Sequence, residues 1–81
     1  MFTGIVEEMG KLKRIDKRTM TFAAKTVLDD LHRGDSIAVD GVCLTAERVD
    51  KNGFTATLSP ETLSRTTLGI ARAGAQVNLE R

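Results

Sequence analysis

At 81 residues the chain is one domain, 1–81, and a domain this small buries only about 60 to 65% of the surface its unfolded chain exposes, so oligomerisation is expected from length alone. Twelve Lys and Arg against eleven Asp and Glu leave a net charge of +1, and with no Trp, no Tyr and three Phe the stacking platforms are scarce, so nucleic-acid binding is disfavoured. One Cys and one His exclude an internal disulfide and argue against a metal centre, and no apolar run approaches the ~18 residues of a membrane span.

The chain opens with MFTGIVEEMG, in which Phe2, Ile5 and Val6 surround Thr3 and Gly4 with no polar tail in front and no basic region of a signal peptide. Chain ends usually fray, so an apolar start predicts that something pins it, and the protein reads as cytoplasmic. In GKLKRID the strand pattern is ambiguous, because Leu12 and the like-facing Arg14 compete with Ile15. TMTFAAK alternates Met20 and Phe22 against threonines more cleanly. KTVLDDLHRGD predicts a short helix with Thr26 as N-cap, Asp29 in the first turn and Gly34 as the stop.

Next comes DSIAVDGVCLTAERV, where Ile37 and Val39 share one face before Asp40-Gly41 and Val42, Leu44 and Ala46 share one after it. Asp-Gly between two such runs predicts a tight hairpin, since both central residues of a type I′ turn need positive φ. GFTATLS turns Phe54, Ala56 and Leu58 inward, and AQVNLER does the same with Val77 and Leu79. Between them SPETLSRTTLG offers Ser59 as N-cap, Pro60 at the first helical position and Gly69 beyond the end. About six short strands with glycine turns and small capped helices point to a compact antiparallel barrel, since closure removes exposed sheet edges.

Three stretches carry polar or nucleophilic groups. Cys43 and Thr45 face away from Val42 and Leu44, yet a lone cysteine is commonly a small buried hydrophobe, and nothing local supplies a base to activate a thiolate. Thr57, Ser59, Thr62, Ser64, Thr66 and Thr67 form a hydroxyl cluster that either caps and solvates a short helix or faces an oxygen-rich ligand. HRGDS reads as a turn.

Taken together, MFTGIVEEMG, GDSIAVDGVCLT, PETLSRTTLG and the closing VNLER resemble, in order and from Met1 to Arg81, the amino-terminal barrel of the riboflavin synthase family. The resemblance implies an all-β fold, a small six-stranded antiparallel Greek-key barrel with one or two short helices, in which Phe2 anchors the terminal strand. It implies a ligand site with three walls: Gly4, Ile5 and Val6; Cys43, Leu44 and Thr45; and Thr57, Leu58, Ser59, Pro60, Glu61 and Thr62. Ser36 and Cys43 match positions implicated in catalysis. Asp40 stands where the family usually has Asn before the Gly.

The family converts two molecules of 6,7-dimethyl-8-ribityllumazine into riboflavin and 5-amino-6-(D-ribitylamino)uracil, with no metal or separate cofactor. Its members carry two barrels in tandem, so the resemblance implies that this chain is a binding half whose productive partner is a second barrel domain. As an isolated domain it is expected to form a homodimer, to bind lumazine or riboflavin, and to turn over weakly or not at all. The alternative is a non-catalytic lumazine- or flavin-binding protein of the same fold; the presence of both Ser36 and Cys43 favours the synthase.

Overall fold

Period-two alternation becomes a single antiparallel sheet in the computed structural model, which describes residues 4–81. Its strands are β1 (Glu8–Asp16), β2 (Thr19–Ala23), β3 (Ser36–Val39), β4 (Val42–Thr45), β5 (Arg48–Asp50), β6 (Gly53–Thr57) and β7 (Gln76–Glu80), in the spatial order β4-β3-β7-β1-β2-β6-β5. One short helix, α1 (Pro60–Arg65), and two 3₁₀ turns, Thr26–Asp29 and Thr67–Ile70, fill the connections. Phe2 lies outside the described residues.

Chain connectivity forces the sheet to curl. β4 and β5 are its two edges, yet only Ala46 and Glu47 join them. A flat row of seven strands would hold its edges about 29 Å apart at ~4.8 Å per step, far beyond the ~11 Å that this connection can reach. The edges therefore close on each other: the Glu47 N–H donates to Thr55 O at 2.8 Å, and the Ala46 N–H donates to Asp35 O at 2.9 Å. The result is a curled half-barrel, all-β as the pattern predicted.

Six runs are predicted and seven strands form, because GVCLTAERV does not continue straight. It breaks after Thr45 at the closure point, and Arg48–Asp50 pairs with β6 instead of extending β4. The ambiguity in GKLKRID also has a structural cause. A β-bulge between Leu12 and Arg14 sets Leu12 opposite Phe22 and Ile15 opposite Met20, so two residues three apart face the same side.

The concave side holds Leu12, Met20, Phe22, Ile37, Val39, Phe54, Leu58, Leu68, Val77 and Leu79, all buried. Phe22 and Phe54 are cross-strand partners with stacked rings 5.1 Å apart. Beside them the backbones of β2 and β6 approach so closely that a Cβ on Gly53 would lie 1.9 Å from Phe22 O.

Two local expectations hold and one is corrected. Asp40 and Gly41 take φ of 50° and 82°, closing the β3–β4 hairpin with Val39 opposite Val42. Ser59 caps α1, its Oγ accepting the Thr62 N–H at 3.1 Å with Pro60 in the first turn. Thr26, by contrast, is not a cap. Glu8 reaches over from β1 and accepts the Lys25 and Val27 N–H groups at 2.7 and 3.0 Å, so a carboxylate distant in sequence does the work expected of a local hydroxyl. Gly69 lies inside the second 3₁₀ turn, where a Cβ would meet Leu63 O at 1.7 Å.

Candidate functional site

Register decides which side chains of the β3–β4 hairpin face out. Ile37 opposes Leu44 on the core side, while Ser36 opposes Thr45 and Ala38 opposes Cys43 on the other. Ser36, Cys43 and Thr45 are exposed there, and none of them has a side-chain hydrogen-bond partner among the described residues. The packed reading of Cys43 is thereby overturned: its thiol is free and on the surface. Position 43 points outward because the Asp40-Gly41 turn fixes the pairing, and in a strand the turn determines facing more firmly than the residue's own preference.

Ala38 sits on this outward face and is nevertheless buried. Ala38 also lines a pocket of about 300 Å³, together with Gly4 and Val6 of the amino-terminal segment and Asp40, Gly41, Thr67, Asn78, Leu79 and Glu80. Of the first two walls only Gly4 and Val6 line this pocket, beside the cross-strand partner of Cys43, whereas Thr45 lines a separate cavity with Arg33, Gly34, Ala46, Glu47 and Arg48.

The amino-terminal segment is held from the far end of the chain. The Gly4 N–H donates to Glu80 Oε1 at 3.1 Å and the Glu7 N–H to Leu79 O at 2.8 Å. Arg81 grips Glu7 with a fork, Nε to Oε1 and Nη2 to Oε2, both at 3.0 Å, and its Nη1 reaches Asp30. That guanidinium, chiefly through its side-chain hydrogen bond, holds the Glu7 carboxyl below the usual glutamate range, and Glu7 and then Asp30 raise the pKa of Arg81 in turn. Ile5 and Val6 remain exposed on the held segment, presenting apolar surface beside the hairpin.

Residues 57–62 are placed differently. Thr57 Oγ1 donates to Glu47 Oε1 at 2.8 Å and lies 3.0 Å from Thr19 Oγ1, so its hydroxyl is used within the sheet. Ser59 Oγ donates to Thr62 Oγ1 at 2.9 Å while accepting the Thr62 N–H. Glu61 pairs with Arg65 at 3.6 Å and Pro60 is exposed. Leu58 and Leu44 are buried, so at these two positions only the backbone can meet a ligand.

None of residues 57–62 lines the pocket at Gly4 and Val6; the hydroxyl segment reaches it through Thr67, just beyond α1. Asn78 and Glu80 also line it, and as polar residues alternating with Val77 and Leu79 they read in the sequence only as the solvent face of a strand. Among the described residues no group of three or more His, Cys, Asp and Glu could hold a metal ion, and no helix is long and apolar enough to cross a membrane.

Comparison with known proteins identifies the family. The lumazine binding domain family matches residues 3–81. The riboflavin synthase of Actinobacillus pleuropneumoniae is 51% identical across the whole chain, that of Mycobacterium tuberculosis H37Rv 49% and that of Schizosaccharomyces pombe 46%. The chain spans only 40 to 43% of the length of these curated relatives. On the extent of the match and the fold together, the chain belongs to the lumazine binding domain family.

Proposed function

We propose that the chain is the substrate-binding half of riboflavin synthase and takes 6,7-dimethyl-8-ribityllumazine or riboflavin against the outward face of the β3–β4 hairpin. The observation that carries this reading is the pocket in which Gly4 and Val6 lie beside Ala38, the cross-strand partner of Cys43, on the hairpin face that also presents the unpartnered Ser36 and Thr45. Apolar Ile5 and Val6 suit the faces of a heterocycle, and the free hydroxyls and backbone groups suit its ring edge and ribityl chain.

The reaction of the relatives named above would move a four-carbon unit from one lumazine to another, leaving riboflavin and 5-amino-6-(D-ribitylamino)uracil, with all atoms of the two substrates accounted for in the two products. Deprotonation of a 7-methyl group gives a carbanion that the ring delocalises, so the protein's part is to hold two rings together and assist proton transfers. Orienting two reactants is worth roughly 7 to 11 kcal/mol of the barrier. Ser36 and Cys43 fit hydrogen bonding or water activation better than covalent attack, and no separate cofactor is needed.

One barrel binds one ring, so a second barrel must bring the second. In the isolated chain that partner would be another copy, and Ile5, Val6, Met9, Ile15 and Ile70 are the large apolar side chains left exposed for a homodimer to cover. Two identical sites place the same groups beside donor and acceptor, so turnover should be weak or absent. A cytoplasmic setting fits a free, exposed thiol.

Fluorescence titration of the chain with lumazine and with riboflavin tests the reading, with saturation by both expected at one site per chain. Flat titrations at high micromolar protein would sink it. Turnover equal to that of a two-barrel synthase would keep the ligand and discard the binding half.

A further inference from the structure

A second cavity, of about 520 Å³, opens between β1, β2, the β5–β6 turn and the start of β7, and shares no lining residue with the pocket at Gly4 and Val6. Lys11, Lys25 and Lys51 all line it, together with Asn52 and Gln76. Lys11 pairs across the sheet with Gln76 on one side and Ala23 on the other, so this ammonium and this amide share one face, and the short side chain of Ala23 leaves the opposite flank of Lys11 open.

The lining is electrically unbalanced. Glu8 is its one carboxylate against three lysines, a net of +2, and both Glu8 oxygens already accept the Lys25 and Val27 backbone N–H groups. Asp50, beside Lys51, turns its Oδ1 to the Asn52 and Gly53 N–H groups at 2.7 and 3.0 Å. Among the described residues no carboxylate lies within ion-pair distance of any of the three ammonium groups, whereas Arg65 and Arg81 are both paired. Like charges left together without counter-charges cost the fold a little repulsion, and an anion in the cavity would relieve it.

We propose that this cavity binds a small phosphate-bearing molecule, its oxygens shared among the ammonium groups of Lys11, Lys25 and Lys51 and the amides of Asn52 and Gln76. A phosphate suits the set better than a carboxylate, since several point-charge donors on different elements match a compact group with more than one negative charge and at least three acceptor oxygens. The volume falls within the usual range for small-ligand sites, about 300 to 1,000 Å³. Because the lysines are exposed, the affinity should fall with ionic strength.

The test is a titration of the chain with inorganic pyrophosphate at low salt, followed by backbone amide NMR. Saturable shifts confined to residues 8–11, 23–25, 51–53 and 75–77 are expected. Lys11→Gln, Lys25→Gln and Lys51→Gln should each weaken binding about fivefold, the scale of one exposed charged pair, while Lys17→Gln at the β1–β2 turn leaves it unchanged. The same spectra report whether each variant is folded. Shifts that rise without saturating, or equal weakening by Lys17→Gln and Lys51→Gln, would overturn the proposal. So would tighter binding of a short single-stranded oligonucleotide, which would make the surface a polyanion track. Because the two cavities share no residue, these results are independent of lumazine binding.

Discussion

Two outward faces of the same sheet carry hydroxyl groups, and they use them in opposite ways. On the β2–β6 ribbon Thr19, Thr57 and Glu47 satisfy one another in a short chain of hydrogen bonds. On the β3–β4 hairpin Ser36, Cys43 and Thr45 have no side-chain partner among the described residues, although the strands are paired as regularly. The difference separates fold from function. Polar groups that are saturated by the protein hold the closure of the sheet, and those left unsaturated beside an apolar segment are available to a ligand.

The largest expected effect lies under the saturated ribbon. Phe54→Ala removes one ring of the stacked pair that joins β2 to β6 and should cost about 3 to 5 kcal/mol. A domain of 81 residues has only about 4 to 12 kcal/mol in total, so thermal unfolding should show a variant that is barely folded or unfolded. A loss below 1 kcal/mol would mean that the ribbon is not the stable half of the molecule.

On the hairpin the expectation reverses. Thr45→Ala should leave stability within about 0.5 kcal/mol, as for an exposed residue without partners. It should weaken lumazine binding by about 1 to 3 kcal/mol, because a polar atom of the ligand loses its partner. Parallel measurements of chemical denaturation and fluorescence titration check both halves of the statement. Equal and large losses in the two assays would show that Thr45 serves the fold.

The ease with which these regions could be read from sequence follows the same division. The β3–β4 turn was legible because Asp40-Gly41 encodes positive φ locally, and the α1 start because Ser59 and Pro60 act within one turn. The buried sets on β2, β3, β6 and β7 were legible because alternation is a local pattern. The bulge after Leu12, the break between β4 and β5 and the capping of Lys25 and Val27 by Glu8 were not, since each depends on pairing between segments distant in the chain. The same holds for the site. Gly4 and Val6 reach Ala38 only because β7 returns between β1 and β3, a consequence of topology that no window of residues contains.

That return also predicts a pH dependence. Arg81 holds the Glu7 carboxyl below its ordinary pKa, so the folded state favours the ionised form. Its contribution is fully present above the unfolded-state pKa and is lost as pH falls through the lower folded-state value. Unfolding followed from pH 7 down to pH 3 should show a steeper acid loss in wild type than in Glu7→Gln, and lumazine affinity should fall over the same interval as the amino-terminal wall loosens. Parallel profiles for the two proteins would remove Arg81 from the account of how that wall is held.

Thr57→Val sharpens the comparison from the saturated side. It keeps the shape and deletes the hydroxyl that joins Thr19 to Glu47, for an expected loss of about 0.5 to 1.5 kcal/mol in stability. Lumazine binding should change less than in Thr45→Ala. If Thr57→Val weakens binding as much as Thr45→Ala does, the ligand must recruit the internal hydrogen-bond chain, and the two faces would not be distinct in function.

The smallest effect is expected of Asp40→Asn, at the point where the two strands of the hairpin meet the returning β7. Asp40 has φ of 50°, a region in which Asn is at least as comfortable as Asp, and its Oδ1 accepts the Asn78 N–H at 2.7 Å while its own N–H donates to Asn78 O at 2.8 Å. Asparagine has an oxygen in the same place, so Asp40→Asn keeps both bonds and should shift stability by no more than about 0.5 kcal/mol. Alanine keeps the turn but removes the acceptor and pays the left-handed strain without a local hydrogen bond, so Asp40→Ala should cost about 1 to 2 kcal/mol. Denaturant midpoints for the pair separate backbone demand from charge: a loss in Asp40→Asn equal to that in Asp40→Ala would show that the carboxylate's charge, and not its oxygen, ties the unsaturated hairpin to β7.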